Sequence, residues 1–170
     1  MAKAIVADPQ ACYACLGCVV ECAYLRAGAG PEVPLGSGVL AHAACAVVAV
    51  GTEPVPLFCH QCENAPCVLV CPTGAMARDE ATGIVSLEAD KCIGCKACVI
   101  ACPFGMIDLR PEGKTVAKCD LCADRVAKGL PPTCVASCPT GALELRELDD
   151  VIKETRARAA KALLAGESSS

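Results

Sequence analysis

The cysteines are the residues most able to do chemistry here, because sixteen of the seventeen fall into four groups of four. We call these groups the first, second, third and fourth runs. In order, their members are Cys12, Cys15, Cys18 and Cys22; Cys59, Cys62, Cys67 and Cys71; Cys92, Cys95, Cys98 and Cys102; and Cys119, Cys122, Cys134 and Cys138. Each [4Fe–4S] cluster takes four thiolate ligands, so sixteen ligands predict four clusters. Clusters of this kind move single electrons.

The spacing within the runs refines this prediction. The first and third runs follow C-x2-C-x2-C-x3-C, in which three cysteines wrap one cluster and the fourth reaches the neighbouring cluster. The second run widens one gap with residues 63–66, and the fourth widens it with residues 123–133. Proline follows the last cysteine of three runs, whereas Ala23 follows Cys22. The spacing therefore predicts crossed ligation between paired runs, but it does not say which runs pair.

Three alternatives explain the cysteines less well. Disulfide frameworks belong to secreted proteins, and the segment from Met1 to Gln10 has no long apolar core and no twin arginine, so we expect no secretory signal. Structural zinc uses two separated C-x2-C pairs, which the fourth run matches but the first and third do not. A [3Fe–4S] cluster or an empty site would lack a ligand, whereas every run has four cysteines.

Composition limits the partners. The formal net charge is −4, and four oxidised thiolate-bound clusters would bring it to about −12, so we expect no nucleic acid partner. The longest apolar stretch, Val39 to Val50, is too short to span a bilayer and contains His42. We therefore expect no membrane span. Oxygen-sensitive clusters, free thiols and the missing secretory signal together predict a cytoplasmic location. With no Trp, two Tyr and two Phe, the chain is expected to depend on its clusters for folding.

A repeat in the sequence predicts the elements that hold these cysteines. Cys71-Pro72-Thr73-Gly74-Ala75-Met76 returns at residues 138–143, and a looser copy lies at residues 102–107. We expect each copy to form a short helix that glycine ends, followed by a strand. Further strands are predicted at Ile84–Leu87, Ala46–Val50 and Ala142–Leu145. The fold class is α+β: two ferredoxin-like modules of short strands and short helices, each with two clusters.

The end of the chain predicts a different element. Residues 148–164 lack Cys, Gly and Pro, and Asp149 and Asp150 suit a helix start. We expect a helix over Leu148–Leu164, a stop at Gly166 and a frayed end over residues 167–170. The helix either packs on its own body or docks a neighbouring subunit.

Several segments resemble one known family. They are Phe58-Cys59-His60-Gln61-Cys62, Ala65-Pro66-Cys67, residues 70–75, Asp90-Lys91-Cys92-Ile93-Gly94-Cys95 and Lys118-Cys119-Asp120-Leu121-Cys122. They resemble the four-cluster iron–sulfur subunits of anaerobic oxidoreductases: dimethyl sulfoxide reductases, formate dehydrogenases, carbon monoxide dehydrogenases, hydrogenases and tungsten aldehyde oxidoreductases. The resemblance covers residues 5 to about 145 and is specific for the cluster type rather than for the partner enzyme.

The resemblance implies which runs pair. The outer runs cross with each other, and so do the inner runs, which gives four ligand sets. Set A is Cys12, Cys15, Cys18 and Cys138; set B is Cys119, Cys122, Cys134 and Cys22; set C is Cys59, Cys62, Cys67 and Cys102; and set D is Cys92, Cys95, Cys98 and Cys71. The outer module would span about 1–35 with 113–146, the inner module about 50–112, together one double ferredoxin-like domain over 1–146, with a helical tail over 147–170.

The function expected from the resemblance is that of an electron-transfer subunit. The sequence contains no nucleotide loop, pterin site or acid–base pair, so we expect no substrate site and no catalytic residue. The favoured partner is a tungsten or molybdenum pterin enzyme such as an aldehyde oxidoreductase. A second redox partner, a flavoprotein or further copies of this chain, would take the electrons. Alternatives are a carrier for carbon monoxide dehydrogenase or hydrogenase, and a freely diffusing polyferredoxin.

A few residues near the runs remain. Cys45 lies in an apolar stretch and is predicted to be a buried thiol rather than a ligand. His60 lies between two ligands and is a candidate for tuning a cluster or touching a partner. Lys91, Lys96 and Lys118 stand beside ligands, where their charge either raises a cluster potential or is simply solvated.

Overall fold

The computed structural model describes residues 2–110 and 113–165. Its strands are β1 (Lys3–Ala7), β2 (Ala46–Val50), β3 (Glu53–Leu57), β4 (Met76–Arg78), β5 (Val85–Leu87), β6 (Ile107–Leu109), β7 (Val116–Lys118) and β8 (Leu143–Glu147). Its α-helices are α1 (Gly17–Ala27), α2 (Pro66–Leu69), α3 (Ala97–Ala101), α4 (Ala123–Ala127), α5 (Thr133–Ala136) and α6 (Leu148–Ala165). Single 3-10 turns lie at Pro9–Ala11, Leu35–Ser37, Val39–His42 and Ala89–Lys91. This is the expected α+β fold of two ferredoxin-like modules and a C-terminal helix.

The strands of the described residues form four antiparallel pairs. β1 pairs with β8, from Lys3 opposite Glu147 to Ala7 opposite Leu143. The pairs β2–β3, β4–β5 and β6–β7 are each formed by consecutive strands. The first and last strands of the described residues therefore pair with each other, and the other three pairs lie between them in sequence. The predicted module boundaries themselves stay a prediction.

The predicted strands are confirmed with small shifts. β2 spans Ala46–Val50 as expected, β5 begins one residue later than the predicted Ile84, and β8 covers Leu143–Glu147 instead of residues 142–145. Apolar side chains alternate with polar ones in β5 and β8, which suits a strand with one covered face, whereas β2 contains only Ala and Val.

The prediction of a helix after each Cys-Pro pair is wrong. The short helices α2, α3 and α5 end just before Cys71, Cys102 and Cys138, and a turn follows each of these cysteines. The Gly74 N–H donates to the Cys71 carbonyl at 3.4 Å, and the equivalent bond closes the other two turns. With the glycine at positive φ, such as +65° at Gly74, the chain passes straight from the turn into a strand.

The buried core is small and is built largely from the cysteines. One cluster of buried residues includes Cys18, Cys22, Phe58, Leu121 and Leu143. A second cluster lies in the inner part of the chain and consists of Ala65, Cys67, Met76, Val85, Ile107 and Val116. Cysteines of every run belong to one of these clusters or pack against one. The residues that carry the chemistry are therefore also part of the core.

The C-terminal helix is present and largely exposed. α6 begins at Leu148, where the backbone N–H donates to the Ala2 carbonyl at 3.0 Å, and Asp149 and Asp150 lie in its first turn. Glu154 accepts a hydrogen bond from the Arg146 guanidinium at 2.7 Å, which ties the helix to β8. Leu163 and Leu164 are 80% and 90% exposed. Gly166 as a helix stop and the frayed end over 167–170 lie outside the described residues.

Within residues 2–110 and 113–165, none of the helices has both the length and the apolar character needed to cross a bilayer.

Candidate iron–sulfur sites

The cysteines of set A line one cavity. Cys12, Cys15 and Cys18 come from the loop before α1 and its first turn, and Cys138 comes from the turn before β8. Tyr13 lies beside them: slight desolvation, and then the neighbouring Cys15 and Cys138, raise the pKa of its hydroxyl. The pairing of β1 with β8 explains the meeting, because it places the turn at Cys138 next to the loop that follows β1. Four thiols facing one cavity are the donor set of a [4Fe–4S] cluster.

The cysteines of set C line a second, apolar cavity. Cys59, Cys62 and Cys67 come from the segment that leads into α2, and Cys102 follows α3. Burial raises the pKa of Cys67, and the nearby Cys59 and Cys102 thiols act in the same direction. Lys118, His60 and Phe104 also line this cavity. The ring centroids of His60 and Phe104 lie 4.1 Å apart.

The cysteines of set B are mutual neighbours, and three of them, Cys22, Cys119 and Cys134, are buried. Burial raises the pKa of Cys134, and Cys119, Cys22 and Cys122 add to that effect. The pKa of Cys119 rises to about 12, mainly through burial, with Cys59 and Cys22 as further contributors. Cys119 is thus close both to Cys22 of the first run and to Cys59 of set C.

For set D the structure groups three cysteines around one loop. Burial is the main cause that raises the pKa of Cys98, and the neighbouring Cys92 and Cys95 raise it further. Cys71 and Cys98 pack against the same buried apolar cluster, and α2 contacts α3. The assignment of Cys71 to this set stays a prediction, as do the other fifteen ligand assignments. Among the described residues, no three His, Cys, Asp or Glu side chains are grouped to enclose a single metal ion.

All four loops share a backbone feature that motif spacing does not reveal. In every run, the residue just before the second cysteine has a left-handed conformation: Ala14 (φ 60°), Gln61 (φ 49°), Gly94 (φ 69°) and Leu121 (φ 54°). Three of these are not glycine, and such a conformation costs about 1–2 kcal/mol for an L-residue. The left-handed residue reverses the direction of the chain between the first and second cysteines of each run. The same left-handed position recurs at four candidate sites and is strained at the three that lack glycine, which indicates a functional constraint.

Backbone N–H groups point at several of the thiols. The Met76 N–H donates to Cys71 Sγ and the Met106 N–H to Cys102 Sγ, each at 3.4 Å. Met76 is the first residue of β4, and Met106 lies just before β6. Slight burial acts to raise the pKa of Cys71, yet the bonds from Met76 and Thr73 lower it overall. Hydrogen bonds to cluster sulfurs are among the features that set a cluster's potential. The Cys-Pro-x-Gly turns therefore position the thiols and also bring backbone N–H donors within hydrogen-bond distance of them.

Cys45 is buried, as predicted, and lies between two candidate sites. Its thiol donates to the Cys18 carbonyl at 3.5 Å, and the adjacent Ala44 N–H donates to Cys22 Sγ at 3.4 Å. The Cys45 thiol as a hydrogen-bond donor lowers the pKa of both Cys18 and Cys22 to about 7. Cys18 belongs to set A and Cys22 to set B, so Cys45 sits where the two outer sets approach each other.

The lysines that neighbour cysteines of the runs differ sharply in environment. Lys91 is 56% exposed and pairs with Glu88 at 2.8 Å, and Lys96 is exposed. Lys118 is 2% exposed. Sequence position alone does not separate them, because Lys91 and Lys118 both precede the first cysteine of a run. Gln61, the other buried polar side chain of the described residues, bonds to Lys118 and was not singled out from the sequence.

Comparison with known proteins agrees with the cysteine pattern. Residues 50–148 match the family model described as a 4Fe-4S dicluster domain. An iron-sulfur protein of Rhodospirillum rubrum is 39% identical, over 91% of this chain and 88% of that protein. The thiosulfate reductase electron transfer subunit PhsB of Salmonella typhi is 42% identical, over 84% of this chain and 74% of PhsB. Protein NrfC of Escherichia coli K12 is 37% identical, over 86% of this chain and 66% of NrfC.

Among solved structures, the active site complex BamBC of benzoyl coenzyme A reductase with benzoyl-CoA aligns at a TM-score of 0.47 and 22% identity. The alignment covers 92% of this chain and 89% of that chain.

The crossed ligation predicts the outcome of one pair of substitutions. Cys71→Ser should perturb one cluster and Cys59→Ser another, because set D and set C are separate. The double variant should then perturb two clusters, as counted by iron content and by electron paramagnetic resonance of the reduced protein. Cys45→Ser serves as the control and should keep the full iron content. A double variant that loses no more than either single variant would show that Cys59 and Cys71 bind the same cluster.

The close approach at Gly94 predicts a second outcome. A Cβ at Gly94 would collide with the Lys114 carbonyl oxygen, so Gly94→Ala should displace the loop and deplete the cluster of set D. Gly141→Ala is the matched control, because Gly141 has the same φ of +69° but open space around its Cα. We expect the control to cost only the conformational strain, about 1–2 kcal/mol, with iron retained. Equal iron content and equal thermal stability in the two variants would contradict the steric explanation.

Proposed function

We propose that this chain, which belongs to the 4Fe-4S dicluster family, is an electron-transfer subunit with four [4Fe–4S] clusters and no substrate site of its own. Family membership supports the cluster type. The number of clusters and their ligands are our inference from the sixteen cysteines and their positions.

The observation that carries the proposal is the composition of two cavities. One is lined by all four cysteines of set A and the other by all four of set C. Each cavity combines three cysteines of one run with the last cysteine of a distant run, as the crossed scheme requires. When bound, a cluster supplies one-electron transfer. The chain's own part is to hold four thiols around each cavity, to direct N–H donors at them and to keep water away.

Burial suggests the order of the sets. Cys15 of set A and Cys95 of set D are exposed, whereas Cys119, Cys134 and Cys67 of sets B and C are buried. Sets B and C approach each other at Cys119 and Cys59, and sets A and B approach each other around Cys45. We therefore order the sets D, C, B and A. This arrangement gives a relay with one surface-exposed site at each end.

Exposed apolar side chains around set D suit contact with another protein. Ile93 follows Cys92 and is 67% exposed, and Ile100 on α3 is 87% exposed. Leu69, two residues before Cys71, is 79% exposed. Exposed apolar groups near a terminal redox site favour a docking surface there. We propose that this end faces the catalytic subunit and that the end at Cys15 faces a second redox partner.

The partner we favour is a tungsten or molybdenum pterin enzyme such as an aldehyde oxidoreductase. The relative PhsB, named as an electron transfer subunit of thiosulfate reductase, supports a role beside a catalytic subunit. For the second partner, the proposal remains a flavoprotein or another copy of this chain held by the exposed helix α6. A cytoplasmic location also remains a proposal.

The cofactor content tests the proposal directly. Anaerobically purified protein should contain about sixteen iron and sixteen sulfide per chain, and a reductive titration should end near four electrons. The reason is that each of the four sets provides a full donor set. About eight iron per chain, or zinc in place of iron, would contradict it.

The partner is tested by purification from the native organism. The tagged full-length chain, isolated without oxygen, should come out with a larger subunit that contains molybdenum or tungsten by metal analysis. Nickel in the copurified subunit would instead support the carbon monoxide dehydrogenase or hydrogenase alternative. Isolation of the chain alone, loaded with clusters and active as an electron donor, would support a freely diffusing polyferredoxin.

A further inference from the structure

The one buried ammonium group in the described part of the chain lies between the inner and outer cysteine sets. Lys118 ends β7 and is 2% exposed. Its Nζ donates to the Val85 carbonyl and to the Cys119 carbonyl, each at 2.6 Å, and to Gln61 Oε1 at 3.4 Å. Within the described residues, no carboxylate is among these partners. Carbonyl and amide oxygens satisfy the ammonium hydrogens but do not neutralise the charge.

A buried positive charge without a counter-charge is strongly unfavourable. The protein nevertheless builds a small network to hold it. The Val85 N–H donates to Gln61 Oε1 at 2.8 Å, and Gln61 Nε2 donates to the Cys119 carbonyl at 2.9 Å. Gln61 is therefore fixed from both sides, and the ammonium group is held in one position. A network of this kind, around an uncompensated charge, indicates that the counter-charge belongs to a group that enters the site.

The location of the charge identifies that group. Lys118 lines the cavity of set C together with Cys59, Cys62, Cys67 and Cys102. Its charge opposes the burial that raises the pKa of Cys67, and it has the same opposing effect on Cys119 of set B. Thiolate-bound clusters are anionic, and reduction adds one more negative charge. The two central sets would therefore surround Lys118 with negative charge.

We propose that Lys118 is the buried counter-ion of the two central clusters and raises their reduction potentials, most of all that of set C. This inference rests on the proposed function and extends it. A fixed cation stabilises the reduced form more than the oxidised form, because the reduced form carries the larger negative charge. Burial keeps salt and water from screening the effect. The charge thereby favours the presence of an electron in the middle of the relay, away from both exposed ends.

The test compares neutral variants at two equivalent sequence positions. Lys118→Met removes the charge, and Lys118→Gln removes it while keeping an amide donor for the carbonyls. Lys91→Met is the control, because Lys91 also precedes the first cysteine of a run but is 56% exposed and paired with Glu88. The full-length proteins are loaded anaerobically and titrated with electron paramagnetic resonance detection, at low and at high salt.

In both Lys118 variants, we expect the midpoint potential of at least one cluster to fall by about 59 mV. For a one-electron couple, this corresponds to a tenfold lower ratio of reduced to oxidised cluster at a given potential. The fall should persist at high salt, and Lys91→Met should match the wild type. Potentials unchanged in the Lys118 variants, or an equal fall in Lys91→Met, would overturn the inference. So would loss of clusters from both Lys118 variants while the wild type is loaded, because that result indicates a structural role. A wild type without clusters would overturn the proposed function itself.

Discussion

The pairing of the first strand with the last is the constraint on which the rest of this structure depends. β1 and β8 pair along five residues each, and this pairing carries Cys138 to the cavity lined by Cys12, Cys15 and Cys18. The residues between β1 and β8 fold as an insertion that contains the three other strand pairs, each formed by consecutive strands. The inner part repeats the principle on a smaller scale, because Cys102 meets Cys59, Cys62 and Cys67. The strand pairing that sets the topology thus also brings together cysteines that are distant in sequence.

The same arrangement explains how so small a core supports a folded chain. The buried clusters consist mainly of cysteine, alanine and valine with a few larger side chains, and the cysteines face cavities. Left-handed residues such as Ala14 and Leu121 add strain in the loops. We infer that cluster ligation offsets both costs, because metal-binding free energy acts as folding free energy when ligands from distant segments share one site.

Cysteine positions and short apolar segments predicted the fold class and most of the strands, whereas the crossed ligation, whose pairing of runs came from the family resemblance, stays a prediction. The prediction failed after Cys71, Cys102 and Cys138, where proline suggested a helix and the chain forms a turn into a strand. The motifs also did not distinguish the buried Lys118 from the exposed Lys91. Burial depends on residues that are distant in sequence, such as Val85, which contacts Lys118. The left-handed position before each second cysteine was not predicted for a different reason: three residue types besides glycine occupy it, so no sequence signal marks it.

The central claim is that four clusters form a row, each bound by cysteines of two different runs. A crystal structure of anaerobically purified protein, with anomalous scattering measured at the iron edge, tests it most directly. The account predicts four iron positions in the order of sets D, C, B and A, with Cys71, Cys102, Cys22 and Cys138 each crossing to a cluster of another run. A cluster bound by all four cysteines of one run, fewer than four iron positions, or a different order would contradict it.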